Sequence, residues 1–164
     1  MFKKRPEVIL LVYGKGGHTA QMTRFLSNQL QYSNEQEYIS ITNSNKALTG
    51  VVDSYYSVEA RDKHSILKNI FLLFAYILLC SFQMIRVICK YKVVGMISTG
   101  PGMAVIPGII CKLKGTKVVY FESWSRFSKP AIAGRVMYYI AHLFFIQHKS
   151  IQRHYPKAIY AGRL

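Results

Sequence analysis

The sequence predicts an α/β fold, a Rossmann-like parallel sheet with crossover helices, and three observations carry that expectation. Short apolar runs recur along the chain, many are followed by a stretch with helical spacing, and small-residue loops stand where run and helix meet. With 164 residues, 51% of them hydrophobic, the chain can bury one good core, so a single domain over 1–164 is expected.

The first apolar run, 7–13, reads as a buried opening strand. The cationic start at Lys3, Lys4 and Arg5 resembles that of a signal peptide, but the apolar stretch from Val8 to Tyr13 is too short for export. Met22, Phe25, Leu26 and Leu30 then fall on one side of a helix over 18–30. Strands follow over 37–42 and 54–58, with 43–50 the one linker-like stretch, and the most apolar part of the chain forms a helix over 66–90. Beyond it, strands over 93–98, 117–121, 143–147 and 158–160 alternate with helices over 103–113, 131–140 and 149–155. No internal repeat or low-complexity tract interrupts this order.

Charge narrows the partners. Lys and Arg number 22 against 7 Asp and Glu, a net +15, and a surface that basic seeks nucleic acid, an anionic membrane leaflet or phosphorylated substrates. No helix-turn-helix, zinc-finger or RNA-recognition signature is present, so nucleic acid is not an expected partner. Cys80, Cys89 and Cys111 sit in apolar contexts without metal-ligand spacing; they read as reduced core thiols, with neither metal nor cofactor expected.

Parallel sheets bind ligands beyond the carboxyl ends of their strands, which directs attention to three loops. In the first, Gly14, Gly16 and Gly17 let the backbone approach an anion at the positive end of the following helix, with Thr19 beside them. His18 in its first turn could take a proton from a sugar hydroxyl or contact phosphate, and a merely structural histidine stays the plainer alternative. In the second, Ser98, Thr99, Gly100 and Gly102 offer the same anion-cradle chemistry, or a bland turn. In the third, Glu122 could accept sugar hydroxyls, Trp124 could stack on a sugar, and Arg126 could grip a diphosphate, with Ser123 between them. A surface loop is the alternative there. The second strand ends in Thr42 and Asn43 rather than an acid, and no G-K-[ST] follows the first glycines, so neither a dinucleotide fingerprint nor a Walker loop is present.

The apolar helix would be about 36 Å long at 1.5 Å per residue. Lys68, Asn69, Gln83 and Arg86 interrupt it, leaving a run of about 13 residues against the ~20 that span hydrocarbon. It also joins two strands of one sheet, so both ends return to one side of a bilayer. A helix lying in the interface or re-entering it fits better than a span, with Ile70, Phe71, Leu72, Leu73, Phe74, Ile77 and Leu78 docking and Arg61, Lys63, Lys68, Arg86, Lys90 and Lys92 meeting anionic head groups. An ordinary core helix is the alternative, disfavoured by hydrophobicity on nearly every side.

Taken together, the loop from Gly14 to His18, the loop from Ser98 to Gly102, and the run from Tyr120 and Glu122 through Gly134, Gln147 and Tyr155 to Tyr160 resemble the Alg-fourteen family, including its PssD-type capsule and exopolysaccharide members. The resemblance covers nearly the whole chain. More distantly the same loops are similar to the N-terminal half of MurG, a GT-B transferase. It implies an acceptor-binding half of a GT-B glycosyltransferase, working in polysaccharide biosynthesis at the cytoplasmic face of a membrane. Its donor half would be a separate Alg-thirteen-like catalytic subunit that binds most of the UDP-sugar. The acceptor would be a saccharide on polyprenol diphosphate, and the chemistry an inverting single displacement. His18 matches the glycine-loop histidine of MurG-like enzymes and Glu122 the acid after the fifth strand, which makes both the catalytic candidates. Ser125 and His142 depart from the family pattern, which usually has alanine and aspartate there. A non-catalytic membrane recruiter and activator of a soluble glycosyltransferase is the competing expectation, with a basic nucleic-acid-binding domain behind it.

Overall fold

A computed structural model describes residues 4–32, 36–46, 48–57 and 66–162, and within them every strand joins one parallel sheet. Strand β1 (Glu7–Tyr13) is apolar on both faces because helices cover both: Val8, Leu10 and Val12 face one core, Leu11 and Tyr13 the other. Each such buried side chain contributes about 1.5–3 kcal/mol. Helix α1 (Gly17–Tyr32) closes the second core with Met22 and Leu26. Strands β2 (Glu37–Thr42) and β3 (Val51–Tyr56) follow, and then α2 (Ile66–Lys90), which packs Tyr76, Cys80, Met84 and Val87 into the first core.

The second half continues with β4 (Lys92–Ser98), a 3₁₀ turn (Gly102–Ala104), α3 (Val105–Leu113), β5 (Lys117–Phe121), α4 (Ile132–Ile140), β6 (Leu143–Ile146), a 3₁₀ turn (Lys149–His154) and β7 (Ile159–Tyr160). The sheet order is β3-β2-β1-β4-β5-β6-β7, all neighbours parallel. Chain progression therefore reverses between β1 and β4, the point at which open α/β sheets leave a crevice above the strand tips. The glycine loops after β1 and β4 flank it.

Several boundaries differ from expectation. The third strand starts at Val51, directly after Gly50 at φ +83°, and not at residue 54; the expected end at Val58 lies outside the described residues. As a sheet edge it exposes Val52 and Tyr56, which blurs its apolar signal. The helix expected over 103–113 opens as a 3₁₀ turn, and the one over 149–155 is 3₁₀ throughout. Cys80 and Cys111 are buried, but Cys89 lies on the exposed side of α2 and is no core thiol.

Candidate functional site

The two glycine loops are clasped by side chain and backbone across the switch point. His18 Nδ1 lies 2.5 Å from the Thr99 carbonyl, and the Thr99 hydroxyl donates to the His18 carbonyl at 2.9 Å. A carbonyl only accepts, so Nδ1 carries a proton, and in the neutral form of the ring the lone pair is on Nε2. Of the remaining hydroxyls, Thr19 Oγ1 donates to the Gly14 carbonyl at 2.7 Å, whereas that of Ser98, fully buried beside Tyr120 across β4 and β5, takes no hydrogen bond. Gly16 turns the chain at φ +65°, and the intrahelical bonds of α1 begin at Ala20 N–H to the Gly16 carbonyl, so its first-turn amides form the positive end of the helix.

Asn43 was not among the expected site residues, yet its Oδ1 accepts the Lys15 backbone N–H at 3.0 Å and holds the first loop from the tip of β2. The end of the second strand is where such folds reach toward the first loop, and an amide there can serve that loop as well as an acid. Gly14 packs closely against the second loop: a Cβ there would stand 3.3 Å from Pro101 Cβ and 3.5 Å from His18 Cδ2.

Gly100 brings the third loop in. It sits at φ +95°, and a Cβ would meet Ser123 N at 3.1 Å, the Phe121 carbonyl at 3.2 Å and His18 Cε1 at 3.3 Å. Gly100→Ala is accordingly expected to cost about 1–3 kcal/mol, from left-handed backbone and crowding together. Denaturant unfolding checks this, and a loss below about 0.5 kcal/mol would contradict the packing described. Trp124 lies across the first loop, its Nε1 at 2.9 Å from where a Gly17 Cβ would be, with the Arg24 guanidinium 5.1 Å from its ring centroid. Its carbonyl accepts from His148 Nε2 at 2.7 Å. Ser123 Oγ is 3.0 Å from Ser125 Oγ, and Arg126 projects exposed from the loop.

Glu122 is placed differently from the other candidates. It is 1% exposed, turned inward beneath its loop, and its oxygens accept from Ser123 N–H at 2.9 Å and from the Tyr155 hydroxyl at 2.7 Å. Its own backbone is pinned as well, N–H to the Phe145 carbonyl and carbonyl to Gln147 Nε2, both at 2.9 Å. Burial pushes its carboxyl above the ordinary value, while the Tyr155 hydroxyl, the Ser123 amide and the Arg126 charge pull the other way. Gly134 on α4 makes room for it, because a Cβ there would fall 1.9 Å from Glu122 Oε2. The structure thus gathers His18, the two glycine loops and Trp124 around one crevice and folds Glu122 away behind it.

Helix α2 is the other candidate surface. Leu73, Phe74, Ile77 and Leu78 are all exposed, Phe74 by 62%, and Phe82 and Ile85 extend the same face. The side chains of Ile70, Phe71 and Leu72, like that of Lys68, lie outside the described residues, as do Arg61 and Lys63. Over Leu73–Lys90 the helix is long and apolar enough to cross a membrane by length and composition, with 28% of that window buried. Lys90 and Lys92 are engaged in exposed ion pairs with Asp53 and Glu7. The helix also touches the crevice, since the Tyr76 hydroxyl donates to the Gly102 carbonyl at 3.2 Å. Among the described residues no group of histidine, cysteine and acidic side chains could hold a metal ion.

The family model described as "Oligosaccharide biosynthesis protein Alg14 like" matches residues 9–164. Similar proteins include the UDP-N-acetylglucosamine transferase subunit ALG14 of Rattus norvegicus, 23% identical, the match covering 95% of this chain and 82% of that protein. The subunit of the same name from Saccharomyces cerevisiae is 24% identical, over 98% and 78%. Among solved structures, MurG of Acinetobacter baumannii superimposes with a TM-score of 0.56 at 15% identity, covering 86% of this chain but 41% of that one, and so shows the GT-B half-fold. With a family model spanning nearly its full length, the chain belongs to the Alg14-like oligosaccharide biosynthesis family.

Proposed function

We propose that this chain is the membrane-docked, acceptor-binding subunit of a two-component, inverting glycosyltransferase. In this reading it presents a saccharide on polyprenol diphosphate to a UDP-sugar held mainly by an Alg-thirteen-like donor subunit, for polysaccharide assembly such as capsule or exopolysaccharide at the cytoplasmic face of the membrane. The observation that carries it is the His18–Thr99 clasp, which fixes the imidazole between two glycine loops at the sheet's switch point with Nδ1 turned to the Thr99 carbonyl. Relatives named as UDP-N-acetylglucosamine transferase subunits support both the reaction class and the need for a partner. The surplus of 22 basic over 7 acidic residues suits a diphosphate and an anionic leaflet.

His18 is the acceptor-activating base in this scheme, Gly14, Gly16, Gly17, Gly100 and Gly102 admit the diphosphate, and Trp124 and Arg126 border it. Thr19, Thr99 and Ser98 shape the loops from within. Glu122, enclosed at 1% exposure, positions the third loop instead of touching the acceptor. The test is reconstitution with a donor subunit and a lipid-diphosphate monosaccharide, with transfer expected only when both chains are present. Transfer by the donor subunit alone at the same rate would sink the proposal.

Membrane docking rests on α2. It runs along the sheet between β3 and β4, its inner line packed in the core and its outer line apolar and exposed, which suits a helix lying in the interface. Phe74→Asp with Leu78→Asp is expected to abolish association with anionic vesicles in a flotation assay while leaving the unfolding midpoint within a few degrees, because both side chains already face outward. Undiminished flotation would refute this role. The recruiter reading draws on the internal use of the Thr19 and Thr99 hydroxyls, and it predicts that cleft substitutions leave transfer unchanged.

A further inference from the structure

The structure holds a second, polar hollow that the crevice does not use. About 550 Å³ in volume, it opens between the edge strand β3 and helix α2, lined by Asp53, Tyr55, Tyr56, Gln83, Arg86 and Lys90. The strand order puts β3 and β5 on opposite sides of β1, so this hollow lies on the flank of α2 away from α3.

Its electrostatics are partly settled from within. Burial pushes the Asp53 carboxyl up, but bonds from Lys90 Nζ at 2.9 Å and the Tyr55 and Tyr91 hydroxyls at 3.1 Å outweigh it and hold it below its ordinary value, so it stays ionised against Lys90. Arg86 is then the charge in excess. Its guanidinium lies 5.7 Å over the Phe82 ring, and Phe82 belongs to the exposed apolar face. Gln83 is 9% exposed; its amide nitrogen donates to the Tyr56 carbonyl at 3.1 Å, while its Oε1, fully buried, takes no hydrogen bond. A buried acceptor left unmatched favours a ligand that brings a donor. Spacing of three and seven residues lines Gln83, Arg86 and Lys90 along one edge of the apolar face.

We propose that this hollow binds the headgroup of an anionic phospholipid, with Arg86 holding its phosphodiester and Gln83 Oε1 accepting from a headgroup hydroxyl. A lipid, rather than a soluble phosphodiester, is favoured because the cation at the site lies on an aromatic ring of the face that docks. The proposal rests on membrane docking by α2, and it adds a chemical preference which docking alone does not require.

The test is flotation of the full-length chain with vesicles of phosphatidylcholine alone, or with one lipid in three replaced by phosphatidylglycerol or by phosphatidic acid. Phosphatidylglycerol is expected to bind tightest. Arg86→Gln is expected to weaken that binding about tenfold, and Lys117→Gln, which removes an equal charge elsewhere, no more than about twofold. Gln83→Leu is expected to abolish the advantage of phosphatidylglycerol over phosphatidic acid, whose headgroup lacks the free hydroxyls. Equal losses in Arg86→Gln and Lys117→Gln would overturn the site while leaving docking intact, and failure of the parent chain to float with any vesicle would overturn both. Calorimetric titration with soluble glycerophosphoglycerol should show no saturable binding at the lipid concentrations used, and matched affinity would overturn the lipid assignment.

Discussion

Gly134→Ala is expected to destabilise the chain by about 3 kcal/mol or more, enough to release the third loop from the sheet. The added methyl would stand 1.9 Å from Glu122 Oε2, 2.6 Å from the Tyr155 hydroxyl and 2.8 Å from Glu122 Cδ. None of these groups can retreat, because Glu122 and Tyr155 are each 1% exposed and bonded to one another. Helix α4 has no side-chain cap at Ala131, and the carboxyl brought in at Gly134 instead accepts from the Ala131 backbone at its N-terminal end. Chemical denaturation of the parent and variant measures the loss. A Gly134→Ala variant within about 0.5 kcal/mol of the parent would show that the carboxylate is not lodged there.

The same cluster has a pH signature. A carboxyl raised by burial holds its proton more tightly in the folded than in the unfolded chain, so the stability it contributes is complete below its unfolded value and is lost as pH rises through its folded value. Glu122→Gln copies the protonated form. It should match or exceed the parent at neutral pH and lack the decline in stability that the parent shows on leaving acid. Glu122→Ala, which strands the Tyr155 hydroxyl and the Ser123 amide, should instead cost about 1–3 kcal/mol for each buried group left unmatched.

How far the sequence shows all this depends on what a residue has to do. Strands β1, β2 and β5 were legible to the residue because the centre of a parallel sheet buries both faces, so their apolar runs begin and end with the strand. Strand β3 was shifted because an edge strand alternates weakly, and the turn of 149–154 because six residues with one buried apolar side chain, Ile151, do not separate 3₁₀ from α. The glycine loops were legible since strand, glycine and helix occur in order. Direction was not: Glu122 stands directly after β5 as expected, but whether its side chain faces the crevice or the core is decided by Gly134 and Tyr155, 12 and 33 positions further on. Asn43 was hidden for a related reason, as its amide serves a loop from the neighbouring strand.

His18 separates a base from a brace. His18→Ala removes both the imidazole and the bond to the Thr99 carbonyl, so its effect alone is ambiguous. His18→Asn is more informative, because a carboxamide N–H can donate to that carbonyl where Nδ1 did, while the side chain offers no basic nitrogen. With the donor subunit present, His18→Asn should keep the parent's unfolding midpoint within a few degrees and retain acceptor binding within severalfold, yet lose about a hundredfold or more in turnover, the scale of general-base catalysis. Recovery of turnover in His18→Asn relative to His18→Ala would make the residue a brace for the two glycine loops, and parent-like turnover in both would favour the recruiter. A selective fall in turnover requires a proton-accepting nitrogen where His18 joins the first loop to the second.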